Sequence, residues 1–78
     1  MKIGVKILPK NEVLDSQGRA VESTLKHHGR NVDRCRVGKY VQLEIGETDK
    51  TKALAKAKEI TEFVLYNPLI ETYELEVV

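Results

Sequence analysis

One cysteine among 78 residues rules out an internal disulfide, so a domain at the small end of the size range must hold its core together by burial of apolar surface alone. The lone thiol, Cys35, alternates onto an apolar face, and a single unpaired cysteine of that kind suits a reducing compartment. No apolar run approaches the length that crosses a bilayer. Residues Met1 to Lys6 start an alternating pattern where a secretory leader would have its apolar segment. These absences predict a cytoplasmic protein. Neither sign of charge dominates either: 13 Lys and Arg against 12 Asp and Glu leave a net charge of +1, spread without a block. That removes the electrostatic footprint of nucleic-acid or membrane binding. With disulfides gone, association with further chains is the remaining source of stability, and a homo-oligomer, dimer or tetramer, is expected.

The usual constellations of site chemistry are missing as well. His27, His28 and Cys35 are the only soft metal donors apart from Met1. Neighbouring helical residues diverge by about 100°, so the two histidines cannot share one ion, and the spacing fits no common zinc framework. No metal ligand is assigned. Ser16 and Ser23 read as a helix cap and a helix-surface residue, and a thiol facing a core is inert, so no nucleophile with a positioned base emerges. Gly38-Lys39 lacks the remainder of a phosphate loop. An RNA-binding sheet would need stacking aromatics on its central strands, where only Tyr40 is available near a loop. The chain therefore carries no catalytic and no cofactor-binding residue that its own pattern reveals.

What is present is a succession of half-buried elements. Ile3, Val5 and Ile7 alternate with Lys2, Gly4 and Lys6, the period of a strand, which Pro9 ends. Asp15 or Ser16 can cap a helix whose stripe is Val21, Thr24, Leu25 and His28, with Gly18 weakening its first turn by up to ~1 kcal/mol and Gly29 closing it. Residues Asp33 to Ile45 read as a β-hairpin: Cys35 and Val37 share a face with Val41, Leu43 and Ile45 only if the loop is Gly38-Lys39-Tyr40. Beyond Gly46 to Asp49, a second helix places Ala53, Ala57, Ile60 and Val64 on one stripe, widened by Leu54, Thr61 and Leu65, until Asn67-Pro68 stops it. Tyr73, Leu75 and Val77 then mark a last strand over Glu71–Val77.

This order predicts one α+β domain over residues 1–78: a ferredoxin-like β-α-β-β-α-β sandwich, a four-stranded antiparallel sheet with both helices on one face. The first and third strands are central and the last pairs with the first. The outer face then sets Lys2 and Lys6 against Glu74 and Glu76 on one side and Gln42 and Glu44 on the other. Arg34, Arg36 and Lys39 gather at one corner of that sheet, the two guanidinium groups alternating outward beside a Lys-bearing turn. Such a corner suits bidentate contact with carboxylates, and it is the expected surface for docking a partner subunit.

The motifs also resemble a known family. Leu14 to Glu22 (LDSQGRAVE), Val32 to Lys39 (VDRCRVGK) and Asn67 to Glu71 (NPLIE) are similar, jointly and in this order, to the PurS family of small subunits of bacterial and archaeal phosphoribosylformylglycinamidine (FGAM) synthase. The resemblance spans the whole chain as a single PurS-like domain. It implies a part in purine biosynthesis, in the glutamine-dependent, ATP-consuming C–N ligation that makes FGAM. In that family the ATP and Mg chemistry belongs to the large subunit PurL and glutamine hydrolysis to PurQ. PurS carries no catalytic residue, binds none of these cofactors, forms oligomers, bridges the other two and supports ammonia transfer. A stand-alone ACT-like module, binding a small molecule at a dimer interface, shares the same topology. Its sites draw on a Gly-containing turn after the first strand, where this chain has Pro9 and a longer link.

Overall fold

The computed structural model describes all 78 residues. Strand β1 (Lys2–Pro9) is followed by helix α1 (Ser16–His27), strand β2 (Lys39–Glu44), helix α2 (Lys50–Ile60) with one wider π-helical turn (Thr61–Leu65), and strand β3 (Glu71–Val77). The sheet has three strands in the order β2-β1-β3, antiparallel throughout. Its register sets Ile3 opposite Leu43 and Val77, and Val5 opposite Val41 and Leu75. The apolar sets of these three strands therefore share one face, with β1 central and β3 beside it as expected, while β2, expected to be central as well, is an edge. On the other face Lys2 pairs with Glu44 at 3.8 Å and Lys6 with Glu76 at 3.2 Å. Tyr40, expected in a loop, belongs to this face, and the end of its ring lies so close over Gly4 that a side chain there would have to push it aside.

Helix α2 covers the apolar face over β1 and β3. Its buried stripe is built of small residues, Ala53, Ala57 and Thr61, which lets the helix approach Ile3 and Ile45 closely. The Thr61 hydroxyl donates to the Ala57 carbonyl at 2.8 Å, so its burial leaves no polar atom unmet. Beyond it the stripe departs from the expected one. The π turn inserts an extra residue per turn and rotates the register, so Val64 faces solvent (67% exposed) along with Phe63 (87%), while Leu65 turns half inward.

The expected fourth strand is absent. Residues Asp33 to Val37 form no hairpin with β2, the sandwich has three strands and not four, and the reason lies in where their backbone N–H groups go. The Cys35 N–H donates to Glu22 Oε1 at 3.1 Å and the Val37 N–H to Asp15 Oδ2 at 2.8 Å. Two alternate donors that would have served a ladder are held by carboxylates from α1 and its cap. Helix α1 is drawn with them. It makes no extensive packing with any strand or with α2, and Gly18 is its one buried residue, so the expected placement of both helices on one sheet face does not occur. The molecule is accordingly long, 48 × 25 × 15 Å: a body of sheet and α2, and an arm of residues 10–38 that carries α1.

Gly18 shows how tightly the arm is folded. A Cβ there would run into the Cys35 carbonyl and the Asp15 carboxylate. An alanine in a helix is ordinarily favoured over glycine by about 1 kcal/mol, but here overpacking of about 1–3 kcal/mol outweighs it. Gly18→Ala is thus expected to lower the stability of the chain, read as a fall in the urea midpoint, where a free helix would gain.

Candidate functional site

The basic corner expected from the sequence lies where the arm leaves the body. Arg34 Nη2 donates to the Asn11 carbonyl at 2.7 Å and Arg36 Nη1 to the Pro9 carbonyl at 3.0 Å. The two guanidinium groups do not share a sheet face, because no strand exists there; they tie the returning segment to the outgoing one. Lys39, the first residue of β2, places its ammonium 3.5 Å from Glu71 Oε2 and 3.5 Å from the Leu65 carbonyl. Arg34, Arg36 and Lys39 thus all lie about the arm's root, each with a contact inside the chain. A guanidinium has five donors, so each Arg keeps most of its hydrogen-bonding capacity for solvent or a partner.

Asp15 sits at the centre of this region. It precedes α1 with extended backbone, and Oδ1 accepts from the Gly18 N–H at 2.9 Å while Oδ2 takes the Val37 N–H. Those backbone bonds, foremost that of Gly18, hold its carboxyl below its ordinary value, with the Arg34 charge adding to them. Glu22, nearly two turns beyond Asp15 on α1, holds another donor of the same segment. Sequence reading found Asp15 as a cap but not its second role, and missed Glu22. No local spacing signals these contacts: the carboxylates at 15 and 22 meet the N–H groups at 37 and 35 only once the chain has turned back.

The chemistry-bearing residues elsewhere are dispersed. Cys35 is half-buried within the arm, not on a hairpin's apolar face, and His27 and His28 are exposed at the end of α1, where Gly29 turns the chain with φ of +73°. No three His, Cys, Asp or Glu side chains converge on a common point that could hold a metal ion. A polar groove between the start of α1 and residues 33–35 is lined by both signs of charge, Glu12, Asp15, Glu22 and Asp33 with Arg19 and Arg34. At the other side of the root, the Tyr73 hydroxyl donates to Glu62 Oε2 at 2.7 Å, and Tyr66 meets its ring edge-on at 4.7 Å. Burial first, then the Glu62 carboxylate, push the Tyr73 phenol up to about 12. Its neutral form therefore contributes stability that is complete below the ordinary phenol value of 10.0 and is lost as pH rises from there through the folded value of about 12.

Asp15 gives a pH dependence of opposite sign. Its folded value lies below the ordinary 3.8, so its contribution is complete above that pH and is lost as pH falls through the folded value. Thermal melting of Asp15→Asn beside the parent chain is expected to show a constant deficit from pH 5 to 7 that narrows below about pH 4.

Comparison with known proteins places this architecture. The chain matches the sequence profile of PurS, phosphoribosylformylglycinamidine (FGAM) synthase, over residues 2–78. It is 39% identical over 77 residues to the PurS subunit of phosphoribosylformylglycinamidine synthase from Bacillus subtilis, covering 97% of this chain and 90% of that one. The crystal structure of the PurS subunit from Thermotoga maritima superimposes with a TM-score of 0.92 at 31% identity, over 99% of this chain and 90% of that one. A chain of the PurLQS structure from the same organism does so with a TM-score of 0.90 at 31% identity, over 99% and 95%. The arm, the three-stranded sheet and the absence of a fourth strand are thus embedded in a match that runs from end to end. This chain belongs to the PurS family of FGAM synthase subunits.

Proposed function

We propose that this chain is the small, non-catalytic subunit of an FGAM synthase, acting in the cytoplasm as a homo-oligomer that bridges the PurL and PurQ subunits and supports ammonia transfer between them. The observation that carries the reading is the end-to-end likeness to a chain of the PurLQS structure, 99% of this chain with a TM-score of 0.90. The residues fit a part in assembly better than a part in chemistry. Polar side chains that could have formed a site are committed to the arm: Asp15 and Glu22 hold backbone N–H groups, and Arg34 and Arg36 hold backbone carbonyls. ATP, Mg and glutamine are in this reading handled by the partner subunits. The ACT-like alternative draws no support from this region, where β1 ends at Pro9 and leads into an extended arm instead of a tight turn.

Arg34, Arg36 and Lys39 remain the proposed docking group, since all three lie about the arm's root at exposed positions with donors left over for a partner. Two large apolar side chains on the body stand unusually bare, Phe63 at 87% and Leu69 at 80%, as on a surface made for association.

Mixing the purified chain with PurL and PurQ is expected to give glutamine-dependent FGAM formation that the chain alone, or either partner without it, does not give. Turnover of glutamine or ATP by the isolated chain would overturn the non-catalytic reading. Arg36→Gln is expected to keep the far-UV spectrum and to raise the concentration of chain needed for half-maximal activity by about tenfold, on the order of 1.4 kcal/mol. An unchanged half-saturation point would remove the basic corner from the docking surface.

A further inference from the structure

The stretch from Glu59 to Glu71 carries apolar side chains that the fold does not bury. Phe63 and Val64 on the π turn and Leu69 on the loop before β3 are 87%, 67% and 80% exposed. The wider turn puts the first two there: Thr61 is the last fully buried residue of the helix, and the register shift beyond it swings Phe63 and Val64 outward. A monomer seldom leaves such side chains bare together in one short segment, and π turns recur at functional sites.

Hydrogen bonds hold the segment in that shape. Asn67 Oδ1 accepts the Leu69 N–H at 3.0 Å, and the Asn67 carbonyl accepts the Ile70 and Glu71 N–H groups at 3.1 and 2.8 Å. The Asn67 N–H in turn donates to Glu71 Oε1 at 2.8 Å. Leu69 is therefore displayed on a closed turn and not on a loose loop. On the π turn, Glu62 accepts from the Tyr73 hydroxyl at 2.7 Å, and Tyr66 braces that ring edge-on. A surface already fixed in one shape loses little freedom when a partner covers it, which favours tight association.

The charge of the segment says what kind of partner that is. Helix α2 is basic up to Lys58 and the sign changes at Glu59: residues 59–71 hold Glu59, Glu62 and Glu71 and no Lys or Arg. Lys39 pairs with Glu71 at 3.5 Å, whereas Glu59 and Glu62 pair with no cation of this chain. Glu59 stands about one helical turn before Phe63 and Glu62 directly before it, so the aromatic position is accompanied by two carboxylates. An apolar anchor with an acidic rim fits an apolar pocket rimmed by Lys or Arg. This is the reverse of the corner of Arg34, Arg36 and Lys39, which suits carboxylates, and the Lys39 to Glu71 ion pair is where the two meet.

We propose that Glu59, Glu62, Phe63 and Leu69 belong to a second docking surface, with Phe63 inserted into an apolar pocket rimmed by Lys or Arg on the synthase subunit that the basic corner does not hold. The inference rests on the bridging reading above and adds a division to it. A chain that joins two unlike subunits needs two unlike surfaces, and this one has one of each sign. Opposite rims also keep each subunit from the wrong surface, because a mismatched contact sets like charges against one another.

Phe63 and Glu59 are exposed, so their replacement leaves the chain folded. Purified PurL and PurQ are titrated separately with the chain, in the presence of glutamine and ATP with Mg, and binding is read by sedimentation velocity. Phe63→Ala is expected to weaken binding of one subunit by about thirtyfold, as loss of an aromatic anchor does, and to leave the other unchanged. Glu59→Lys is expected to weaken the same subunit, and Arg36→Gln the other. The mass of the chain sedimenting by itself stays the same in all three variants. Full-strength binding of both subunits by Phe63→Ala overturns the surface and keeps the bridging reading. Equal weakening of both, or weakening of one and the same subunit by Phe63→Ala and Arg36→Gln, overturns the division. A Glu59→Lys chain that binds like the parent overturns the basic rim. A fall in the mass of Phe63→Ala sedimenting alone gives Phe63 to a second copy of this chain and overturns the proposal. A parent that binds neither subunit overturns the bridging reading with it, and leaves the match to the PurS family untouched.

Discussion

One carboxylate sets the shape of this molecule. Asp15 accepts the Gly18 N–H with one oxygen and the Val37 N–H with the other, at 2.9 and 2.8 Å. The first bond starts α1, as a cap of this kind does in any helix. The second fastens the returning segment to that same helix start, where otherwise its N–H groups would look for a strand. Because both bonds come from one side chain, starting the helix and withdrawing the segment from the sheet are a single event. Gly18 is the complement to it, the one residue that leaves room for the Cys35 carbonyl to pass.

From that constraint follow the division into body and arm and the distribution of function. The body is closed by small residues: Ala53, Ala57 and Thr61 bring α2 down onto Ile3 and Ile45, and six buried hydrophobic side chains suffice for a sheet only three strands wide. The arm, having no core of its own, is held by hydrogen bonds from Asp15, Glu22, Arg34 and Arg36 to backbone groups. A protein organised in this way has its polar side chains occupied in shape and its apolar ones, Phe63, Val64 and Leu69, turned outward. That is the economy of an assembly subunit, and it agrees with membership of the PurS family.

Most of the body was legible in the sequence because it depends on local periodicity. Alternation placed Ile3, Val5 and Ile7 against Val41, Leu43, Leu75 and Val77 on one face, and the register is the one the pattern requires. The cap of α1, read as Asp15 or Ser16 and found at Asp15, and the left-handed Gly29 were likewise local signals. The fourth strand was misread for a physical reason: Cys35 and Val37 alternate like strand residues, but alternation records which side chains share a face, not which acceptor takes the backbone N–H. Side-chain carboxylates 13 and 22 residues away took them, and no period reveals such a competitor. The shift at Val64 had a similar origin, since a 3.6-residue stripe cannot anticipate a π turn. Of the basic corner, the residues were legible and their geometry was not. Arg34 and Arg36 were expected side by side on a sheet, and they lie instead along the root of an arm.

Asp15 holds the returning segment to α1 and away from the sheet, and amide hydrogen exchange reads that residue by residue. In Asp15→Asn the amides of Gly18, Cys35 and Val37 are predicted to lose protection together, while those of β1, β2 and β3 keep theirs, because the sheet ladder does not depend on the arm. Loss of protection in the sheet to the same degree, or full protection of Val37 without the carboxylate, would contradict it.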